Sequence, residues 1–502
     1  MKKQQRSEAQ AKCASSAERR TSWKKIDFSR CERKVRKLQF RIAKAQKEGR
    51  YNKVTALQHL LVTSFEAKVL AVRKVTTNKG KRTAGIDHVL WDTDARKINA
   101  VCSLKRREYK ALPLKRVNIP KKNGKRRPLG IPTMKDRAMQ ALYLMALEPI
   151  TETTADANSY GFRKFRSTAD AIDALHRWLS RDCSPQWILE GDIKGCFDHI
   201  SHQWLLDNVR IDKRILEKWL KSGVVFNKMP QPTVEGTPQG GIISPILANT
   251  TLDGMERMLK ERYRVNYIDG RLYHPKVNYV RYADDFIVTA DKRETLEDVK
   301  CMLIEFLRER GLTLSEEKTL ITHISEGFDF LGFNVRKYNG TLLIKPSSKR
   351  FTEKLHEVVF KKNKAVAQQK LIEELNPVLR GWGNYYRGVV SKNTFSKIDH
   401  ILTNQLKRWS YRRHTNKSRK WIKDKYFIKV GNRDWFFGFK YKDCEKEAIF
   451  VLMKLADIPI CRHVKVKCEA NPYDPTWEAY FLKRKIKGSR LRTSRKGTLS
   501  EN

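Results

Sequence analysis

The sequence predicts an α+β fold in which short acid-tipped strands sit among amphipathic helices, and three observations carry that reading. Trp187-Ile188-Leu189-Glu190-Gly191-Asp192-Ile193 is an apolar strand ending on an acid. Val277-Asn278-Tyr279-Val280-Arg281-Tyr282 and Phe286-Ile287-Val288 are two strands joined by Ala283-Asp284-Asp285. Around them, apolar residues recur at helical steps, as in Val35, Leu38, Ile42 and Ala45.

Residues 1–22 are polar and expected to be mobile. From Trp23 a helix is expected, and Gly49 ends it. Val54, Leu57, Leu61 and Phe65 predict a second helix that continues towards Val75. The polar run 78–85 reads as a loop. Val117-Asn118-Ile119-Pro120 and Arg127-Pro128-Leu129-Gly130-Ile131 flank Asn123-Gly124, which predicts a basic hairpin. Further helices are expected from Met134 to about Leu147, around Trp204, Leu205 and Val209, and over 294–309. Phe328–Val335 predicts another strand pair or one strand with a bend. Beyond about 350 the pattern is helical, and the tail 483–496 is expected to be disordered.

Charge points to the partner. The 502 residues hold 104 Lys+Arg against 55 Asp+Glu, a formal charge of +49. A compact chain of that charge repels itself unless a polyanion neutralises it. Between 101 and 137 there are 13 basic residues and two acids, Glu108 and Asp136. Aromatics are interleaved with cations in Lys407-Arg408-Trp409-Ser410-Tyr411-Arg412-Arg413, a pattern suited to phosphates and unstacked bases. No run of 18 apolar residues could span a bilayer, and no apolar leader core follows Met1, so a cytoplasmic protein is expected. The nine cysteines form no Cys-x-x-Cys pair. Cys461, His463 and Cys468 match no common zinc spacing and are read as structural.

Adjacent carboxylates in a turn between apolar strands repel each other unless a cation binds them. If the strand ending at Asp192 neighbours the hairpin, Asp192 and Asp284 can jointly hold two Mg2+ ions, which favour hard oxygen ligands. Two such ions activate a 3′-hydroxyl and stabilise a leaving pyrophosphate.

These blocks, in order, resemble the group II intron-encoded reverse transcriptases, also called maturases, from about Trp23 to about Tyr480. Tyr282-Ala283-Asp284-Asp285 resembles the family's catalytic box, and Leu189–Asp198 its first catalytic strand. Gly236-Thr237-Pro238-Gln239-Gly240-Gly241 resembles the block bracing the incoming nucleotide, and Arg126–Arg137 the fingertip. Ser159-Tyr160-Gly161-Phe162-Arg163, Gly311–Thr319 and Phe330-Leu331-Gly332-Phe333 resemble further blocks. The resemblance implies a right-hand polymerase with fingers, a ferredoxin-like palm and a helical thumb, domain X, opening near Leu375–Arg387. It implies a basic N-terminus over 1–22, a helical extension over 23–90, fingers and palm over 91–345, domain X over 346–425 and a basic nucleic-acid-binding region over 426–502.

By the same resemblance Asp192, Asp284 and Asp285 are catalytic and metal-binding. Lys121, Lys122, Arg127, Ile193, Phe197, Gln239 and Gly240 bind the nucleotide, Phe197 by excluding a ribose 2′-hydroxyl. Arg380, Arg387, Lys407, Arg408, Arg412 and Arg413 bind nucleic acid. Two readings stand for Lys318, a proton donor to pyrophosphate or an exposed loop lysine. The implied partners are group II intron RNA, an RNA template with a DNA or RNA primer, dNTPs and target DNA, with no membrane. The implied function is copying intron RNA into DNA at a target site and assisting splicing. The alternatives are a splicing maturase with a vestigial polymerase, or a related enzyme of phage defence or CRISPR adaptation. Pro459–Lys467 resembles the segment that leads to an HNH endonuclease in longer relatives, but no paired cysteines follow, so an endonuclease is not expected. In Gly85-Ile86-Asp87-His88 relatives commonly carry glycine last, and His88 is read as a loop residue.

Overall fold

The computed structural model describes residues 22–493 apart from 121–123, 125, 227–228, 232, 234, 238–239, 269–270 and 444–445. Its contacts divide the chain into two units. The first comprises residues up to Ser167, Leu189–Ile321 and Val466–Lys485; the second comprises Thr168–Ile188, Thr322–Lys465 and residues from Ile486 onward.

The first unit opens on helix Phe28–Lys47, which buries Val35, Ile42 and Ala45 on one face and is capped by the Asp27 carboxylate. Gly49 then turns the chain at φ +68°. Where one helix was expected there are two, Tyr51–Thr63 and Phe65–Thr77. Ser64 separates them because its extended backbone frees its hydroxyl to accept from the Ala67 N–H. His88 takes φ +54°, the left-handed region that favours glycine. The helix expected to end near Leu147 runs over Met134–Thr154 and passes through Pro149. Proline sacrifices one donor there, but Leu147, Pro149 and Ile150 are all buried, and that packing sustains the helix.

Seven strands lead to the hairpin that carries the acids: β1 (Leu114–Pro120), β2 (Arg126–Ile131), β3 (Trp187–Asp192), β4 (Val224–Phe226), β5 (Met229–Gln231), β6 (Asn266–Ile268) and β7 (Arg271–Tyr273). β8 (Asn278–Tyr282), β9 (Asp285–Ala290) and β10 (Leu320–His323) follow. The expected basic hairpin is β1–β2, with Val117 opposite Leu129. It belongs to a sheet ordered β2-β1-β4-β5, in which β1 and β4 run parallel. The acid-bearing strands form a sheet ordered β10-β3-β9-β8. Helix Arg293–Arg308, between β9 and β10, buries Leu296, Val299, Leu303 and Leu307.

Val466–Lys485 belongs to this same unit, an arrangement no local sequence pattern indicates. Tyr473 is buried and its hydroxyl donates to Glu148 at 2.5 Å. Lys47 reaches Asp474 at 2.6 Å, and Phe481 stacks on Phe165 at 4.8 Å. Arg166, with a 2% exposed side chain, donates to the Ala470 carbonyl at 3.3 Å. The tail expected to be disordered from 483 is helical over Glu478–Thr493; residues 494–502 lie outside the described ones.

The second unit holds helix Thr168–Leu179 and an antiparallel meander of β11 (Phe328–Phe330), β12 (Phe333–Tyr338) and β13 (Thr341–Pro346). Helices Gln368–Tyr386 and Lys392–Arg413 follow, the latter burying Phe395, Ile398, Leu402, Leu406 and Trp409. The helical expectation then fails. β14 (Phe427–Val430), β15 (Arg433–Asp443) and β16 (Lys446–Val451) form a three-stranded sheet. Val430 pairs with Arg433, so Gly431-Asn432 is a two-residue hairpin loop, and aromatics such as Phe427 and Phe437 favour the pleated surface. Among the described residues no helix is long and apolar enough to cross a membrane.

If Val466–Lys485 is part of the first unit, its anchor should be felt in stability. Tyr473→Phe, which strips Glu148 of a donor, should cost about 1–2 kcal/mol. Tyr473→Ala, which also empties the ring's site, should cost about 3–5 kcal/mol. Denaturant unfolding measures both, and two silent substitutions would detach the segment from the core.

Candidate active site

Asp192 ends β3, Asp284 lies in the β8–β9 turn, and Asp285 opens β9 opposite Tyr282. β3 and β9 are sheet neighbours, so acids 92 positions apart in sequence (284 − 192) share one edge. Glycine makes the approach possible. A Cβ on Gly191 would stand 2.1 Å from the Phe286 ring, so any larger residue would push β3 off β9.

The turn is braced from its other side. Ala283 adopts φ +60°, unusual for a residue with a Cβ. A Cβ on Gly161 would lie 2.3 Å from the Ala283 nitrogen, so only glycine fits beneath it. The Tyr160 N–H donates to the Arg281 carbonyl at 2.9 Å, and the Arg281 N–H donates to the Asn158 carbonyl at 3.0 Å. Asn158–Gly161 therefore lies along β8 and supports its tip.

Crowding has an electrostatic result. Loss of hydration, then the charges of Asp284 and Asp192, raise the Asp285 carboxyl to about 7. Asp284 is raised by burial and by Asp192, with Arg127 and Lys318 opposing. The Lys318 ammonium stands 2.5 Å from Asp192 Oδ2, a contact that raises the lysine's own pKa. Main-chain bonds deliver it: Ser315 N–H to the Asp192 carbonyl at 2.8 Å, and Lys194 N–H to the Thr313 carbonyl at 3.0 Å. Lys318 is exposed and pairs with Asp192, which leaves both readings of it standing.

The donor set is all carboxylate oxygen, the chemistry a hard divalent cation takes. Among the described residues no three His, Cys, Asp or Glu side chains close into a cage. A divalent ion held here would need further oxygens from its substrate, as magnesium in phosphoryl-transfer sites commonly does.

Phe197 is half-buried and meets the exposed Phe162 edge-on at 6.4 Å. The Thr237 N–H donates to the Phe197 carbonyl at 2.6 Å, and Gly236, at φ +83°, passes so close that a Cβ would sit 2.4 Å from the Asp198 carbonyl oxygen. Gly240, at φ +114°, abuts Gly130 in β2. Arg127 lies on β2 opposite Ile119, and its charge reaches Asp284. The Ile193 side chain is buried and its backbone bridges Leu314, so it can offer a ligand only main chain. Lys121, Lys122 and Gln239 lie outside the described residues.

The six basic residues read as nucleic-acid-binding lie in the second unit, whereas the acids lie in the first. Arg380, Arg408 and Arg412 are exposed, and Arg387 is half-buried. Lys407 sits over Trp435 at 3.8 Å; Arg413 covers Trp409 at 4.6 Å and donates to the Val366 carbonyl. Those last two are partly engaged in packing. His463 bonds Asp170 at 2.8 Å, and Cys468 lies 3.9 Å from the Asn158 oxygen, which fits structural roles.

An acid-ended strand beside an acid-turned hairpin gathers hard oxygen ligands in one place on the sheet. The chain matches the model of the reverse transcriptase (RNA-dependent DNA polymerase) over residues 119–335. It also matches the N-terminal domain of reverse transcriptase over 23–104 and the group II intron, maturase-specific domain over 348–427. Protein YkfC of Escherichia coli is 36% identical over 54% of this chain and 81% of its own length. The group II intron-encoded protein LtrA of Lactococcus lactis is 28% identical over 82% of this chain and 83% of its own. Apo telomerase from Candida tropicalis aligns at 15% identity over 64% of this chain and 62% of its own, with a TM-score of 0.39, too low to bear on the fold. The enzyme is an RNA-directed DNA polymerase. The chain belongs to the group II intron-encoded reverse transcriptases, the maturases. Reverse transcriptases require divalent metal ions, and the carboxylates described fit that need.

A carboxyl near 7 in the folded chain, against about 4 unfolded, binds more protons folded than unfolded between those values. Stability therefore falls as pH rises through that window. In buffer free of divalent ions, Asp285→Asn should raise the melting temperature at pH 8 by roughly 2 °C, a modest figure because solvent screens the exposed side chain. Near pH 4 the difference should vanish. A variant less stable at pH 8 would contradict the crowding of the three carboxylates.

Proposed function

We propose that Asp192, Asp284 and Asp285 are the catalytic and metal-binding groups for DNA synthesis on an RNA template, and that they hold two Mg2+ ions. The observation that carries this is their meeting on one sheet edge with Asp284 and Asp285 raised in proton affinity. When bound, the ions supply activation of the primer 3′-hydroxyl and charge neutralisation at the departing pyrophosphate. The chain's own groups do the rest. Lys318 keeps a proton at Nζ and compensates Asp192 until the carboxylate has another partner. Arg127, with Lys121 and Lys122, grips the dNTP triphosphate. Phe197, steadied by Phe162, fills the space a 2′-hydroxyl would need. Gly240 and the Ile193 backbone floor the pocket together with Gln239.

In this reading β3, β8, β9 and β10 are the ferredoxin-like palm. Taken in chain order as first to fourth, they stand fourth-first-third-second in the sheet, which supports that topology. The β1–β2 hairpin belongs to the fingers, within 91–345, and the helices Gln368–Tyr386 and Lys392–Arg413 form domain X, within 346–425. Residues 23–90 are the N-terminal extension, preceded by the basic segment 1–22. The segment 426–502, with Arg380, Arg387, Lys407, Arg408, Arg412 and Arg413, contacts group II intron RNA, template–primer and target DNA. The chain acts in the cytoplasm as a ribonucleoprotein, assisting splicing and copying its intron into a DNA site.

Asp284→Ala and Asp192→Ala should each abolish primer extension on a poly(rA) template while leaving RNA affinity intact, since that rests on dispersed cations. Incorporation by either variant would overturn the assignment.

Phe197→Ala should raise ribonucleotide relative to deoxyribonucleotide incorporation, and an unchanged ratio would place the gate elsewhere.

Truncation after Lys485 should lower the slope of log affinity against log salt by about 0.7–0.9 for each phosphate that residues 486–502 neutralise, with extension on a short template–primer unaltered. Identical slopes would leave residues 486–502 without a nucleic-acid role.

A further inference from the structure

Arg281 has no exposed surface, yet carries a charge one position before Tyr282. Its guanidinium forms an ion pair with Asp253. Nη1 also donates to Asn249 Oδ1 at 3.1 Å and to the Ala283 carbonyl at 3.3 Å. Ala283 is the left-handed residue of the turn that carries Asp284. Asn249 lies in helix Ser244–Leu252, and Asp253 follows its last residue.

We propose that Arg281 is a positioning residue of the polymerase, its guanidinium tying the turn that presents Asp284 to helix Ser244–Leu252 and Asp253. The inference rests on Asp284 being a catalytic ligand.

Packing alone accounts poorly for this arrangement. A buried ion pair is often no more stable than apolar residues of the same volume, because both charges lose their hydration. Here the cost is higher still, since Arg281 Nε has no partner among the described residues. What a guanidinium adds is direction: a planar fork that bonds several acceptors in fixed geometry, which an ammonium cannot copy. All three acceptors hold a different piece of the site: the turn, the helix and the residue after it. The main chain of Arg281 is fixed as well, through Tyr160 and Asn158. Backbone and side chain of one residue thus set the tip of β8 from two directions.

The test uses the full chain in three forms: Arg281→Lys, the double variant Arg281→Met with Asp253→Leu, and Asp284→Ala as reference. Each is measured for melting temperature, and for kcat and KM with dTTP on poly(rA)·oligo(dT). The double variant removes both charges together, so its fold should survive. Arg281→Lys keeps the charge but not the fork. Both should melt close to the parent yet lose about 10- to 100-fold in kcat, with KM for dTTP within about threefold, because a small misplacement of a reacting group is costly in rate. Parental kcat in either folded variant overturns the inference. So does a loss of kcat that merely tracks a falling melting temperature. If Asp284→Ala itself extends primers, the catalytic reading of the turn fails, a result distinct from active Arg281 variants beside an inactive Asp284→Ala.

Discussion

Carboxylates gathered at one edge of a sheet repel each other, and much of the neighbouring structure answers that repulsion. Two unit charges 4 Å apart at a protein surface interact by about 4 kcal/mol, enough to splay a loop. The acids here cannot splay. Asp192 is held by a strand that Gly191 lets lie flat against Phe286, and Asp284 by a turn wedged on Gly161. Lys318 supplies a directly paired positive charge, and Arg127 a more distant one. The result is a site of high proton affinity built from rigid elements, which favours whatever cation relieves it.

Behind the turn lies a second layer of buried polar groups that joins segments distant in sequence. Glu152 accepts from Arg163 Nε at 2.9 Å and Nη2 at 2.7 Å, and Arg163 Nη1 donates to the Asp156 and Ser159 carbonyls at 2.6 and 2.8 Å. Glu256 accepts from both the backbone and the side chain of Asn158 at 2.8 Å. Asp156 in turn takes the N–H groups of Gly254 and Glu256. Such networks contribute little net stability after desolvation, but a mispaired alternative would strand a charge in the interior. Residues 152–163 and 249–256 therefore meet in one register.

The sequence made the acid-bearing strands legible because short apolar runs ending on carboxylates, with a turn between two of them, leave few other placements. The β1–β2 hairpin was legible from Asn123-Gly124 and its flanking apolar residues. Ser64 was harder, since a serine within a helical pattern signals a break only once its backbone is known to be extended. The sheet of β14–β16 was missed although Gly431-Asn432 is a hairpin signal, because the surrounding lysines and aromatics also suit an exposed basic helix. The role of Arg281 was invisible for a different reason. A charged residue inside a strand reads as solvent-facing, and its burial depends on partners such as Asn249 and Asp253, which no local pattern links to it.

The return of Val466–Lys485 to the first unit has a consequence for the order of synthesis. A ribosome releases the chain from its N-terminus, so the helices and sheet that carry the acids emerge early. They still lack Tyr473 for Glu148, Asp474 for Lys47 and the Ala470 carbonyl for Arg166 until the last tenth or so of the described chain has appeared. By then every residue of Thr322–Lys465 has been translated. Closing contacts across more than 300 residues is slow for entropic reasons and leaves apolar surface uncovered meanwhile. The first unit to begin folding is thus sealed only after the whole of Thr322–Lys465 has been translated, so the two units cannot be completed in the order in which their first residues emerge.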